Sequence, residues 1–236
     1  MIISSQINGL LKKIGIQINR YPDSDSKRLI KLINHFGINK IFDVGANIGG
    51  YSLFMKELGF KGEIVSFEPS SNAFKKLKLN SKADKKWILE NFALGNEEGE
   101  IMMNISENSV SSSILDMLPA HVESAPFSKY ISKEKIKICK LDSIFNNYYK
   151  EGDRIFLKID AQGFEKNVLE GAEKSLIKIN GIQLEMSLVS LYKGDTLFEE
   201  MIAYLKLRGF KIYSLEPGFS HPTSGQLLQM DGIFYR

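Results

Sequence analysis

Ile41-Phe42-Asp43-Val44-Gly45-Ala46-Asn47-Ile48-Gly49-Gly50-Tyr51-Ser52 joins an apolar run to a cluster of glycines and a second apolar run. Apolar residues flank Asp43, glycines follow at 45, 49 and 50, and Tyr51-Ser52-Leu53-Phe54-Met55 resumes an apolar pattern suited to a helix. The succession predicts a buried strand, a tight loop and a helix start. Gly45 and Gly49 permit unusual dihedrals, or a backbone approach that a side chain would block. Unpaired N–H groups at such a helix start suit a phosphate, a carboxylate or a ribose hydroxyl. A strand-turn-helix used only for packing stays open at this level.

The spacing narrows the ligand. Gly45-Ala46-Asn47-Ile48-Gly49-Gly50 is neither the G-x-x-x-x-G-K-[ST] phosphate loop nor the G-x-G-x-x-G dinucleotide signature. No lysine follows to hold a triphosphate, and the first closely spaced glycine pair is missing. ATP and NAD therefore rank behind a nucleotide-like ligand with less need for charge neutralisation.

The 236 residues suffice for one substantial α/β core, and 43% hydrophobic with 25% charged residues fits an ordinary globular chain. A net charge of +3 makes no nucleic-acid footprint, so no nucleic-acid partner is expected. Cys139 is the only cysteine, which excludes an internal disulfide framework and a cysteine-rich zinc site. Its strand-like surroundings, Ile136-Lys137-Ile138-Cys139-Lys140-Leu141, suggest a buried structural thiol. No run has the apolar length of a membrane span. The opening residues lack the ordered regions of a secretory signal and read as a short amphipathic helix packing on the domain. A cytoplasmic location is expected on these grounds.

Along the chain, Pro22-Asp23-Ser24-Asp25 reads as a turn and helix cap before the stripe Leu29, Ile30, Leu32, Ile33 and Phe36. Residues 1–38 are thus an N-terminal helical segment ahead of one domain over 39–236. Glu63-Ile64-Val65-Ser66-Phe67-Glu68-Pro69 is a second strand with an acidic C-terminal end. Ligands gather outside the carboxyl ends of strands in open α/β sheets, so Glu68 and the glycine loop are expected to converge. A carboxylate there can accept two ribose O–H groups; a helix-cap charge is the plainer role. Residues 87–95 supply another strand and turn, with Asn91 or Ala93 beside an adenine or merely fitting the strand exit. Residues 106–135, rich in serine and charge, read as a substrate lid or a solvated connection. Asp142 is expected to cap a helix over 143–149. Asp160 ends the next strand, Glu185 lies at another strand end, and two strands finish the chain. The alternation of strands and helices argues for α/β layers.

With these elements in order, the chain resembles the FkbM family of S-adenosylmethionine-dependent methyltransferases. The resemblance covers residues 39–236. It rests on Phe42–Ser52, on Phe67-Glu68-Pro69, on Leu157-Lys158-Ile159-Asp160-Ala161-Gln162-Gly163-Phe164-Glu165 and on Val168-Leu169-Glu170-Gly171-Ala172. It implies a single-domain Rossmann-like sheet, mostly parallel, with an antiparallel C-terminal strand. It implies S-adenosylmethionine as cofactor and methyl transfer to an oxygen of a small metabolite or glycan-related acceptor. The glycine loop would hold the amino-acid end of the cofactor, Glu68 the ribose and Asn91–Ala93 the adenine side. The expected cofactor set is Asp43, Gly45, Asn47, Gly49, Tyr51, Ser52, Glu68, Asn91, Ala93 and Asp160.

An oxygen acceptor can require a positioned base. Asp160 is the first choice for acceptor orientation or proton removal, with cofactor or loop organisation as its alternative. Glu185 is expected to orient the acceptor or to bond a loop. His221 can exchange protons near neutrality or sit in an exposed loop, and Asp231 can meet the same pocket or serve a turn. No metal is expected. The competing functions are an NAD-dependent oxidoreductase and a noncatalytic small-molecule or protein-binding module.

Overall fold

The computed structural model describes residues 8, 11–16, 18, 21–82 and 84–236. The amphipathic helix expected at the very start falls largely outside them. The first full helix, α1 (Ser24–His35), is capped as its sequence predicts: the Asp23 side chain accepts from Ser26 N. Leu29 and Ile33 are buried on its inner face.

The central sheet contains β1 (Lys40–Val44), β2 (Glu63–Phe67), β3 (Trp87–Glu90), β7 (Ile155–Ile159), β8 (Ile179–Ser187), β9 (Lys211–Pro217) and β10 (Gln229–Tyr235). Its order is β3-β2-β1-β7-β8-β10-β9. The first five pair in parallel, whereas β10 runs antiparallel to both β8 and β9. The expected reversed C-terminal strand is therefore present, inserted between its neighbours. Strands β1 and β7 are buried along their whole length, as parallel strands covered on both faces must be.

Alternate residues feed two cores. Ile41, Ile64, Phe156 and Ile233 face a layer made by α1, α2 (Gly50–Glu57) and α3 (Ser71–Ser81). Phe42, Val65, Leu157 and Ile182 face the other layer, which includes α6 (Glu165–Glu170) and α7 (Phe198–Leu207). Phe42, Phe156 and Leu184 have no exposed surface, and each such side chain contributes about 1.5–3 kcal/mol through burial.

A small second sheet, β4 (Ala93–Leu94), β6 (Tyr130–Cys139) and β5 (Gly99–Ser106) in that order, packs into the second core through Met103, Ile136 and Ile138. It corrects the bounds of the serine-rich segment: residues 130–135 belong to β6, paired antiparallel with β5. The alternating lysines at 133, 135 and 137 form the outer face of that strand, and Ile136 and Ile138 its inner face. Between the strands lie a loop, α4 (Pro119–Ser124) and a single 3-10 turn. A second correction concerns Asp142. It does not cap its own short helix, α5 (Leu141–Ile144); its carboxylate accepts from the backbone N–H groups of Lys174 (3.0 Å) and Ser175 (2.7 Å). Cys139 is half-buried, and burial pushes its thiol up to about 12, so it has no thiolate character near neutrality. Among the described residues no helix is long and apolar enough to cross a membrane.

Candidate active site

The carboxyl ends of β1, β2 and β7 meet at one cavity of about 700 Å³, counting its open mouth. Gly45, Asn47, Glu68, Ala93 and Asp160 all line it, so five of the sequence-derived residues converge. Gly45 has φ +73°, and a Cβ there would overlap the carbonyl oxygen of Asp160. The loop after β1 can pass the end of β7 only at a glycine. Gly49 serves packing instead: its absent side chain leaves room for Leu77 and Trp87, and it does not line the cavity.

Glu68 is held by backbone donors. Asn47 N donates to Oε2 and Ser70 N to Oε1, each at 2.7 Å. Desolvation raises the carboxyl to about 7 despite these two hydrogen bonds, which favour the charged form. Each oxygen retains a further lone pair, and the residue lines the cavity. Asn91 does not line it. Its side chain donates to the carbonyls of Glu68 (2.9 Å) and Pro69 (3.1 Å) and thereby fixes the strand exit.

Asp43, Ser52 and Tyr51 support the cavity from behind. Ser52 Oγ donates to Asp43 Oδ2 at 2.8 Å, and Trp87 Nε1 donates to Ser66 Oγ beside them at 2.9 Å. The other Asp43 oxygen, fully buried, has no hydrogen-bond partner among the described residues, and the Lys158 ammonium stands 3.4 Å away as its counter-charge. The Tyr51 hydroxyl donates to Gln183 Oε1 at 3.0 Å, and its ring lies 5.5 Å from the Lys158 Nζ. None of the three lines the cavity; each stands behind the residues that do.

Lys158 Nζ also stands 3.4 Å from Asp160 Oδ2. Burial alone would lower this ammonium, but Asp160 and Asp43 together more than reverse that and raise it. Asp160 is the more exposed partner, its side chain 42% accessible against 0% for Asp43.

Glu185 and Asp231 face each other in the register of β8 and β10. Burial first, then the negative charge of Asp160, raises both carboxyls: Asp231 to about 6 and Glu185 well above its ordinary range. Neither lines the cavity. His221 is not part of this group. Its Nδ1 accepts from Thr223 N (3.2 Å) and Ser224 N (3.1 Å), so the ring closes its own turn beyond β9.

Several lining residues were not singled out one by one by the sequence, which marked only their segments. Ser109, Val110, Ser112, Ser113 and Ile114 cover the cavity from the serine-rich loop, and Gln162 adjoins Asp160. Lys158 could have been noticed as a lysine inside the apolar run Ile155-Phe156-Leu157-Lys158-Ile159.

A mostly parallel sheet with one reversed strand, and a glycine turn and a buried carboxylate at adjoining strand ends, define a Rossmann-like α/β fold of methyltransferase-like architecture. The model of the methyltransferase FkbM domain matches residues 43–212, and the chain belongs to that family. A crystal structure of methyltransferase FkbM from Methylobacillus flagellatus KT superposes with a TM-score of 0.50 at 17% identity, over 83% of this chain and 43% of that one. The chain thus spans less than half the length of that protein. A putative RNA methyltransferase from Pyrococcus horikoshii gives 0.46 at 13% identity, covering 92% of this chain and 86% of its own. TehB from Haemophilus influenzae gives 0.49 at 10% identity, covering 92% and 63%. No match is found among curated proteins.

Proposed function

We propose that the chain transfers the methyl group of S-adenosylmethionine to a hydroxyl oxygen of a sugar, a glycan intermediate or a related small metabolite. The observation that carries this reading is the convergence of the Gly45–Asn47 turn, Glu68 and Asp160 on one cavity. The residues present fit the cofactor. The turn leaves backbone beside the cavity where a Cβ could not stand, Glu68 offers acceptor lone pairs to ribose hydroxyls, and Ala93 gives a small apolar wall for an adenine. When bound, the cofactor supplies the electrophilic methyl group.

The chain's own work is then alignment and exclusion of water. Glu68 holds the ribose with its carboxylate fixed by Asn47 and Ser70. Asp160, partly exposed at the end of β7, orients the acceptor hydroxyl and receives its proton. Lys158 keeps one Asp160 oxygen in place and balances Asp43. Residues 107–129 form a lid, Ser109–Ile114 being the part that reaches the cavity. Glu185 and Asp231 contribute on the acceptor side. A cytoplasmic setting suits a chain with one free thiol.

The test is to incubate the protein with methyl-labelled S-adenosylmethionine and an oligosaccharide or cell-extract fraction. Acceptor-dependent label in an alkali-stable ether product supports the reading. Absence of both cofactor binding and label transfer would overturn it, and binding without transfer would point to a noncatalytic module.

A further inference from the structure

We propose that Gln162 is a positioning residue that sets the Asp160 carboxylate and ties it to the loop covering the cavity. The inference rests on the reading of Asp160 as the group facing the acceptor. After β7 the chain turns through two successive left-handed residues, Gln162 at φ +53° and Gly163 at φ +92°. Gly163 has no alternative there, since a Cβ would come within 2.8 Å of the Tyr192 ring. Gln162 is a non-glycine residue in a region few such residues occupy, and strain of this kind gathers at functional sites.

Its surroundings hold it there through its backbone carbonyl and both ends of its side-chain amide. The backbone carbonyl accepts from Ser113 Oγ at 2.6 Å, on the loop over the cavity. The side-chain Oε1 accepts from the Tyr192 hydroxyl at 2.7 Å. The Nε2 donates to Asp160 Oδ1 at 2.7 Å and to Glu185 Oε2 at 3.1 Å. The amide orientation follows from chemistry: the Asp160 carboxylate oxygen only accepts, so nitrogen faces it, and the amide oxygen then accepts from the Tyr192 hydroxyl.

Two carboxylates receive one N–H each from a neutral side chain. Asparagine is too short to span them, and leucine leaves the buried Tyr192 hydroxyl and Asp160 Oδ1 without this partner, while Glu185 Oε2 keeps Gln229 Nε2 at 2.7 Å. With Lys158 near the second Asp160 oxygen, both oxygens of that carboxylate are oriented although the side chain is partly exposed. Gln162 lines the cavity beside Asp160, and its effect on the acceptor runs through the Asp160 carboxylate.

The experiment uses the full chain with Gln162→Leu, Tyr192→Phe, Asp160→Asn and the Gln162→Leu/Asp160→Asn double variant. Cofactor affinity, label transfer at saturating cofactor and the crystal structure of Gln162→Leu are measured. Gln162→Leu is expected to slow transfer by about tenfold or more while cofactor affinity changes by less than about threefold. In the Asp160→Asn background the same change should cost less than about twofold, because the group it positions is already altered. An equal loss in both backgrounds, or no loss, overturns the proposal. Tyr192→Phe keeps the packing and frees the amide, so it is the variant that decides if Gln162→Leu does not fold; a rate within about twofold of the parent counts against the proposal. The crystal structure separates this inference from the activity: should the parent chain transfer no label, an Asp160 carboxylate that turns away in Gln162→Leu, or in Tyr192→Phe, still supports it, and one that stays in place overturns it.

Discussion

The Asp160 carbonyl oxygen occupies the place where a Cβ on Gly45 would stand, while the Asp160 amide donates to Val44 O at 3.0 Å. The end of β7 and the turn after β1 are therefore fitted to each other through backbone alone. A methyl group at position 45 has to push them apart and also adopt φ +73°. Gly45→Ala should cost about 2–5 kcal/mol from strain and overpacking combined. Gly50 has open space around it, so Gly50→Ala should be neutral or slightly stabilising. Thermal melting of the two variants checks the contrast.

Lys158 is the cation facing the fully buried Asp43, and its removal leaves that charge uncompensated. Lys158→Met should cost about 3–5 kcal/mol, or roughly 10 °C in melting temperature for a chain of this size. Adding Asp43→Asn should restore part of that loss. Failure of the second substitution to recover any stability would show that the ion pair is not what Lys158 supplies.

Burial raises Glu68 and Glu165 to about 7, and raises Asp231 to about 6. Each binds its proton more tightly in the folded chain than in the unfolded one. Their contribution to stability is full below the ordinary carboxyl range and is lost as pH rises through about 6–7. The ligand-free protein should melt lower at about pH 8 than at about pH 5.5, by about 3 °C or more. Glu165 accepts from Ala161 N and Gly163 N, so Glu165→Gln should flatten the profile by removing one titrating group. Melting curves across this pH range give the slope directly.

The covering loop offers a separate check. Val110, which lines the cavity, is 60% exposed, and Phe127 at the other end of this segment is 71% exposed. Chymotrypsin should cut within residues 107–129 of the ligand-free chain, and S-adenosylhomocysteine should slow that cleavage several-fold. Cleavage at an unchanged rate would detach the loop from the cofactor cavity.

The local elements of this site were legible in the sequence because each is written in a few adjacent residues. The β1 turn shows its glycines, β2 shows its acidic end, and the run from Leu157 to Glu165 shows a strand passing into a helix. What the sequence did not carry is which side chain reaches whom. Asp142 looks like a cap for its own helix but is taken by Lys174 and Ser175, which the fold brings to it. Tyr51 follows the glycines closely yet points its hydroxyl at Gln183 on β8. His221 has a chemistry that attracts notice, and the backbone of its own turn uses it. The serine-rich loop has no periodicity of its own, and its place over the cavity follows from the Asn104–Ser113 bridge and from Ser113 bonding Gln162. These are relations between strands and loops far apart in the chain, which spacing cannot encode.

Calorimetric titration of S-adenosylmethionine into the parent chain and into Glu68→Ala is the decisive check on cofactor binding at this cavity. Micromolar binding by the parent, about −8 kcal/mol, is expected, with a loss of about tenfold or more in the variant as the ribose hydroxyls lose their acceptor. A parent chain that takes up no S-adenosylmethionine, or a folded variant that binds it as tightly as the parent, would contradict cofactor binding at this cavity.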